Sequence, residues 1–216
     1  MTTPLERVMT SGVIAVVRLA HPLPVPAAKA LVAGGISLIE LTLTTPGALD
    51  SIPAIASAVP GSIVGAGTVL DAASARNVIA AGAQFVVSPA FDEEVVRICR
   101  DSGVLCAPGV LTPTEMLHAW RAGAELLKVF PSAQVGPSFF RDVLAPMPFL
   151  RLVPSGGVSL ANAGDWIRAG AAAVSVGTSF INAQTVNESN LGALTENARA
   201  LVGAVATART PAAVHS

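Results

Sequence analysis

What most constrains this chain is a repeated unit: a short apolar run followed by an amphipathic segment that closes on glycine. Eight apolar runs are legible, at residues 13–18, 38–44, 63–68, 85–89, 104–110, 126–131, 152–157 and 173–178. Most are rich in Val and Ile, and several lack the polar alternation of a half-exposed strand. Such runs suit strands buried on both faces, as in a parallel sheet. Between them lie segments of helical character at 26–33, 72–81, 92–102, 113–122 and 160–169. Each is followed by glycine (Gly34-Gly35, Gly82, Gly103, Gly123, Gly170), the usual C-terminal stop of a helix. Asp71, Asp92, Thr112 and Ser159 stand where side-chain N-caps are expected. A last helix is expected over 193–207, before the tail PAAVHS, for which a disordered end is the default.

Eight strand–helix units in 216 residues stand at the low end for a (β/α)8 barrel. The fold class expected is therefore α/β, a single-domain TIM barrel over about 12–181, with a C-terminal helix and tail over 182–216. An open doubly wound sheet would show the same alternation and stays open as the alternative.

Composition removes other classes. Charged residues make up 12% of the chain and its net charge is −1, so neither a disordered protein nor a nucleic-acid partner is expected. No run reaches the roughly 18 apolar residues of a membrane span. Cys99 and Cys106 have neither metal nor CxxC spacing, and a reducing, cytoplasmic location fits them.

In a barrel the chemistry sits at the C-terminal strand ends. Only two of the 13 basic residues are lysines, Lys29 and Lys128, and Lys128 falls inside the run LLKVF. Glu40 falls inside SLIELTL in the same way. Burying either charge alone costs several kcal/mol. One reading is a structural ion pair. The other is an amine nucleophile with a carboxyl acid/base, since a deprotonated lysine attacks a ketone to give a Schiff base.

The seventh and eighth strand ends read PSGGVS and VGTS. Their glycines expose backbone N–H groups and their hydroxyls add donors, as a phosphate site needs; a pair of ordinary tight turns is the other reading. Phe130 lies two residues after Lys128, on the same strand face, as a wall of the site or as core. Pro131 and Gly136-Pro137 are expected to end that strand and open a loop. His21, His118 and His215 have no ligand spacing, Trp120 and Trp166 read as helix packing, and no metal or other cofactor is expected.

The motifs GVIAVVR, LVAGGISLIELTLTTPGAL, VGAGTVLD, GAQFVVSPAFD, APGVLTPTE, LLKVFPSAQVGP, VPSGGVSLAN and VGTSF occur in order over residues 12–181. As a set they resemble the class I KDPG/KHG aldolases, which act on 2-dehydro-3-deoxy-6-phosphogluconate and 4-hydroxy-2-oxoglutarate. The resemblance implies a small 2-keto acid substrate, Lys128 as the Schiff-base lysine and Glu40 as the acid/base working through a water. It also implies that Thr68 and Pro89 line the pyruvate end and that Phe130 walls the lysine. Gly156, Gly157 and Ser179, with Ser155, Gly177 and Thr178 in the same loops, match the phosphate-binding positions. Many relatives read E-x-T-x-R where this chain has Thr44; Arg18 is then the cation available for the substrate carboxylate. The substitution bears on substrate identity, and a galactonate-type or other 2-keto-4-hydroxy acid is the alternative within the family; a barrel that binds a phosphorylated ligand without turnover is the non-enzyme alternative. Such aldolases are usually trimers, so a homotrimer is implied.

Overall fold

A computed structural model describes residues 3–210. His215 and the PAAVHS tail lie outside the described residues. The order is α1 (Pro4–Ser11), β1 (Val13–Val17), α2 (Val25–Ala33), β2 (Leu38–Thr42), α3 (Ala48–Ala58) and β3 (Ile63–Gly67). Then follow α4 (Ala72–Ala80), β4 (Phe85–Val87), α5 (Glu93–Asp101), β5 (Leu105–Ala107), β6 (Gly109–Val110) and α6 (Pro113–Arg121). The chain continues through β7 (Leu127–Val129), α7 (Gly136–Leu144), β8 (Leu152–Pro154), α8 (Ala163–Arg168), β9 (Val174–Val176) and α9 (Leu191–Arg209).

The fold is α/β, and every strand pair is parallel. The expected uninterrupted ring of eight strands is not what the hydrogen bonds draw. Six strands pair in the order β5-β4-β3-β2-β1-β9 and three in the order β6-β7-β8. The reasons are local. Pro108 splits the run expected at 104–110 into β5 and β6, because proline has no N–H for the ladder. At the other junction β8 meets β9 through a single bridge, Ser155 to Ser175.

Strand side chains alternate between two faces. Val13, Ala15 and Val17 of β1, with Ile39 and Leu41 of β2, pack outward against the helices. Inward, Ile14, Leu38, Ile63, Phe85, Leu105 and Val153 form a second apolar cluster. Each fully buried side chain of this size contributes roughly 1.5–3 kcal/mol. The next inward positions hold Val16, Glu40, Gly65, Val87, Ala107, Lys128, Ser155 and Ser175. The floor is thus apolar, and the buried polar side chains Glu40, Lys128, Ser155 and Ser175 enter in the layer above it. Gly65 is small because Phe85 occupies its side-chain space: a Cβ there would stand 2.5 Å from the ring.

Asp71, Asp92 and Thr112 cap α4, α5 and α6 as expected. Ser159 does not cap α8. The helix starts later, after Asn162, whose Oδ1 accepts from the Ser159 N–H at 2.8 Å. The loop expected at Gly136-Pro137 is instead the first turn of α7, where proline suits a position with no intrahelical N–H bond to lose. Trp166 packs edge-on against Phe140 at 5.1 Å, and Trp120 of α6 lies 5.5 Å from Phe149, both in packing roles. His21 and His118 are exposed. Among the described residues no helix is long and apolar enough to cross a membrane.

Candidate active site

A cavity of about 220 Å³ opens at the C-terminal ends of β1, β7, β8 and β9. It gathers Arg18, Lys128, Phe130, Ser155, Gly156, Gly157, Gly177, Thr178 and Ser179 on one wall system. Glu40, Thr44, Thr68 and Pro89 do not line it. Ser175 does, and no strand-end inspection would flag it; its inward register, two residues before Gly177, is the signal that could have.

Lys128 is 5% exposed on the inner face of β7. Its backbone pairs with Gly109 and Val153, so its direction is set by a ladder on both sides. Its Nζ lies 5.1 Å from the centre of the Phe130 ring. Among the described residues no carboxylate oxygen lies within 4.0 Å of it.

Glu40 is 1% exposed in β2, between Val16 and Gly65 in register. Both of its carboxylate oxygens are buried without a hydrogen-bond partner. Burial raises its carboxyl above the ordinary 4.5; the positive charges of Lys128 and then Arg18 pull part of the way back. Gly67 makes room for it, since a Cβ there would collide with Glu40 Oε1. A direct Lys128–Glu40 ion pair is therefore not what keeps these two groups inside.

Arg18 is exposed at the end of β1, and buried hydroxyls hold the backbone on both sides of it. The Val17 carbonyl accepts from Thr42 Oγ1 at 2.9 Å and from Thr45 Oγ1 at 3.2 Å. The Leu19 N–H donates to Thr45 Oγ1 at 3.2 Å. Thr44 is exposed, with its hydroxyl 3.0 Å from that of Thr42. Thr68 has φ 61°, the one non-glycine residue in the left-handed region among those described. A β-branched residue there is strained, and such strain gathers at functional sites. Gly109 lets Pro89 approach, for a Cβ at 109 would collide with the Pro89 backbone.

Gly156 and Gly157 have φ of 88° and 80°, and a Cβ on Gly157 would stand 2.6 Å from that of Ala133. Ser179 Oγ donates to the Val158 carbonyl at 3.1 Å and ties the two loops together. Among the described residues the N–H groups of Gly156, Gly157, Thr178 and Ser179 donate to no protein acceptor. No three His, Cys, Asp or Glu side chains converge among the described residues.

Comparison with known proteins agrees with this architecture. A sequence model of the KDPG and KHG aldolase family matches residues 5–197. The chain is 39% identical over 170 residues to the KHG/KDPG aldolase of Escherichia coli, covering 76% of this chain and 79% of that one. It is 35% identical over 210 residues to the 2-dehydro-3-deoxy-phosphogluconate aldolase of Dickeya dadantii, covering 94% and 98%. The structure superposes with TM-score 0.83 on a KDPG aldolase from Legionella pneumophila that holds pyruvate as a covalent carbinolamine, at 28% identity over 93% of this chain and 98% of that one. With nearly the whole chain matched, the protein belongs to the KDPG and KHG aldolase family.

Proposed function

We propose that this protein is a Schiff-base aldolase, a carbon–carbon lyase, cleaving 2-dehydro-3-deoxy-6-phosphogluconate to pyruvate and glyceraldehyde 3-phosphate, and 4-hydroxy-2-oxoglutarate to pyruvate and glyoxylate. The observation that carries the reading is Glu40: a carboxyl 1% exposed, with both oxygens unpartnered. A buried polar group left so is costly unless a ligand or water completes it.

In this reading the deprotonated amine of Lys128 adds to the C2 ketone. Glu40 protonates the carbinolamine oxygen, water leaves, and an iminium forms. Glu40 then takes the C4 hydroxyl proton while the C3–C4 bond breaks. Its electron pair moves into the iminium and gives an enamine. The aldehyde leaves, the enamine takes a proton at C3, and hydrolysis frees pyruvate and the lysine. Arg18 holds the carboxylate and Phe130 shields the iminium from water, both from the cavity wall; the place of Thr68 and Pro89 at the pyruvate end rests on the family resemblance alone. The 155–157 and 177–179 loops bind the phosphate. Thr44 in place of the family arginine favours a second reading, a 2-dehydro-3-deoxy-6-phosphogalactonate aldolase; kcat/KM for the two epimers separates them.

The two sheets, continuous in chain through Pro108 and bridged at Ser155–Ser175, support one closed (β/α)8 domain. A cytoplasmic homotrimer, as the family resemblance implies, is read by light scattering.

The test is borohydride reduction with pyruvate followed by peptide mass spectrometry. A pyruvate adduct on the peptide carrying Lys128, absent in Lys128→Ala and Lys128→Arg, is expected, since arginine does not deprotonate in proteins. A folded wild-type protein without adduct would refute the reading.

A further inference from the structure

Two residues outside the cavity prepare the backbone of the 155–158 loop. Ser132 is fully buried and does not line the cavity. Its N–H donates to the Ser155 carbonyl at 2.9 Å. Its Oγ–H is shared between the Ser155 carbonyl at 3.0 Å and the Gly156 carbonyl at 2.8 Å. Asn162 Nδ2 donates to the next carbonyl, that of Gly157, at 2.9 Å, while its Oδ1 takes the Ser159 N–H. Three successive carbonyls are thus turned toward protein donors.

A trans peptide puts its carbonyl and the following N–H on opposite sides. The only cis bond among the described residues is Phe130–Pro131, so all three loop peptides obey this rule. Pinning the carbonyls of 155, 156 and 157 therefore points the N–H groups of Gly156, Gly157 and Val158 the other way. All three residues line the cavity, and none of these N–H groups has a protein acceptor among the described residues. Both glycines have positive φ, a conformation that residues with side chains rarely adopt.

We propose that Ser132 and Asn162 are positioning residues for phosphate recognition: they fix the carbonyl side of the loop so that its N–H side is organised before substrate arrives. The inference rests on the phosphate reading above. It goes further by assigning that specificity to two side chains that do not touch the ligand. Preorganised donors do not have to be reoriented on binding, so losing a pin weakens the phosphorylated substrate selectively.

The experiment measures kcat and KM for the phosphorylated substrate and for 4-hydroxy-2-oxoglutarate in wild type, Ser132→Ala, Ser132→Thr and Asn162→Ala, together with inhibition by inorganic phosphate. The expected result is a fall of about tenfold in the ratio of the two kcat/KM values for each alanine variant. It comes through KM, is accompanied by a comparable loss of phosphate inhibition, and is smaller in Ser132→Thr, which keeps the hydroxyl. Asn162 is half-buried, so its variant reports even where a change at Ser132 prevents folding. An equal loss on both substrates, or an unchanged ratio in the folded variants, overturns the positioning role. A wild-type enzyme with no phosphate inhibition and no preference for the phosphorylated substrate overturns the phosphate reading itself.

Discussion

Gly67 offers a sharp test of how the buried carboxyl is held. Its backbone is not in the left-handed region, so alanine meets no conformational penalty there. The obstacle is steric: the added methyl would occupy the place of Glu40 Oε1. Glu40 cannot retreat inward, because the layer below is filled by Leu38, Ile63 and Phe85. Gly67→Ala must therefore turn the carboxyl away from its position. Overpacking of this kind costs about 1–3 kcal/mol in stability. A reacting group displaced by about 1 Å loses on the order of 100-fold in rate. Steady-state kcat and urea unfolding read the two effects. Gly65→Ala supplies the control, for its methyl meets the Phe85 ring rather than a polar group. It should lose comparable stability and far less rate. In a Glu40→Gln background Gly67→Ala should cost little further rate, as expected of two changes acting through one group. A folded Gly67→Ala enzyme with wild-type kcat would refute both the steric argument and the role given to Glu40.

Other consequences are as direct. Because the folded Glu40 carboxyl keeps its proton above the ordinary 4.5, the native state binds more protons than the unfolded one from there up to its raised value. Stability should fall as pH rises through that window, and the slope should vanish in Glu40→Gln; parallel urea-unfolding curves for the two proteins would contradict it. Thr45→Val removes the acceptor of the Leu19 N–H and one donor to the Val17 carbonyl, for a loss of about 1–3 kcal/mol. It should also raise KM for pyruvate-type substrates through Arg18, and an unchanged KM would detach Arg18 from the carboxylate. Ser179→Ala should weaken phosphorylated substrates more than unphosphorylated ones in parallel KM measurements; an equal effect would remove Ser179 from the phosphate site.

The strands and the buried pair were legible because both depend on local contrast. Eight apolar runs stand out against glycine stops, and a lone lysine inside LLKVF has few structural excuses. What stayed hidden depended on tertiary context. Pro53 punctuates α3, which nonetheless forms because Ala48, Ile52 and Ile55 are buried along one face. Gly136-Pro137 has the same composition in a loop as at a helix start. At α1 the signal is local: Thr3 and Glu6 form a capping box with Pro4 at the first turn. Ser159 caps nothing because α8 begins only after Asn162, whose side chain turns back to the Ser159 N–H and the Gly157 carbonyl and does not cap the helix either. The break at Pro108 was readable as a proline within a run. The partnerless state of Glu40 was not, since it is a distance between strands far apart in sequence.

Glu40 belongs to the six-stranded sheet and Lys128 to the three-stranded one, so the two groups proposed to react sit on different sides of a seam. One side of that seam is closed by the Ser155–Ser175 bridge and the other by the chain passing through Pro108. Neither sheet alone contains both of the groups proposed to react. On the proposed mechanism, catalytic competence is a property of the docked pair of arcs. A partial opening along the seam, far short of unfolding, would separate acid from amine while leaving each sheet's hydrogen bonds intact. On heating or in mild denaturant, turnover should fade before secondary structure does.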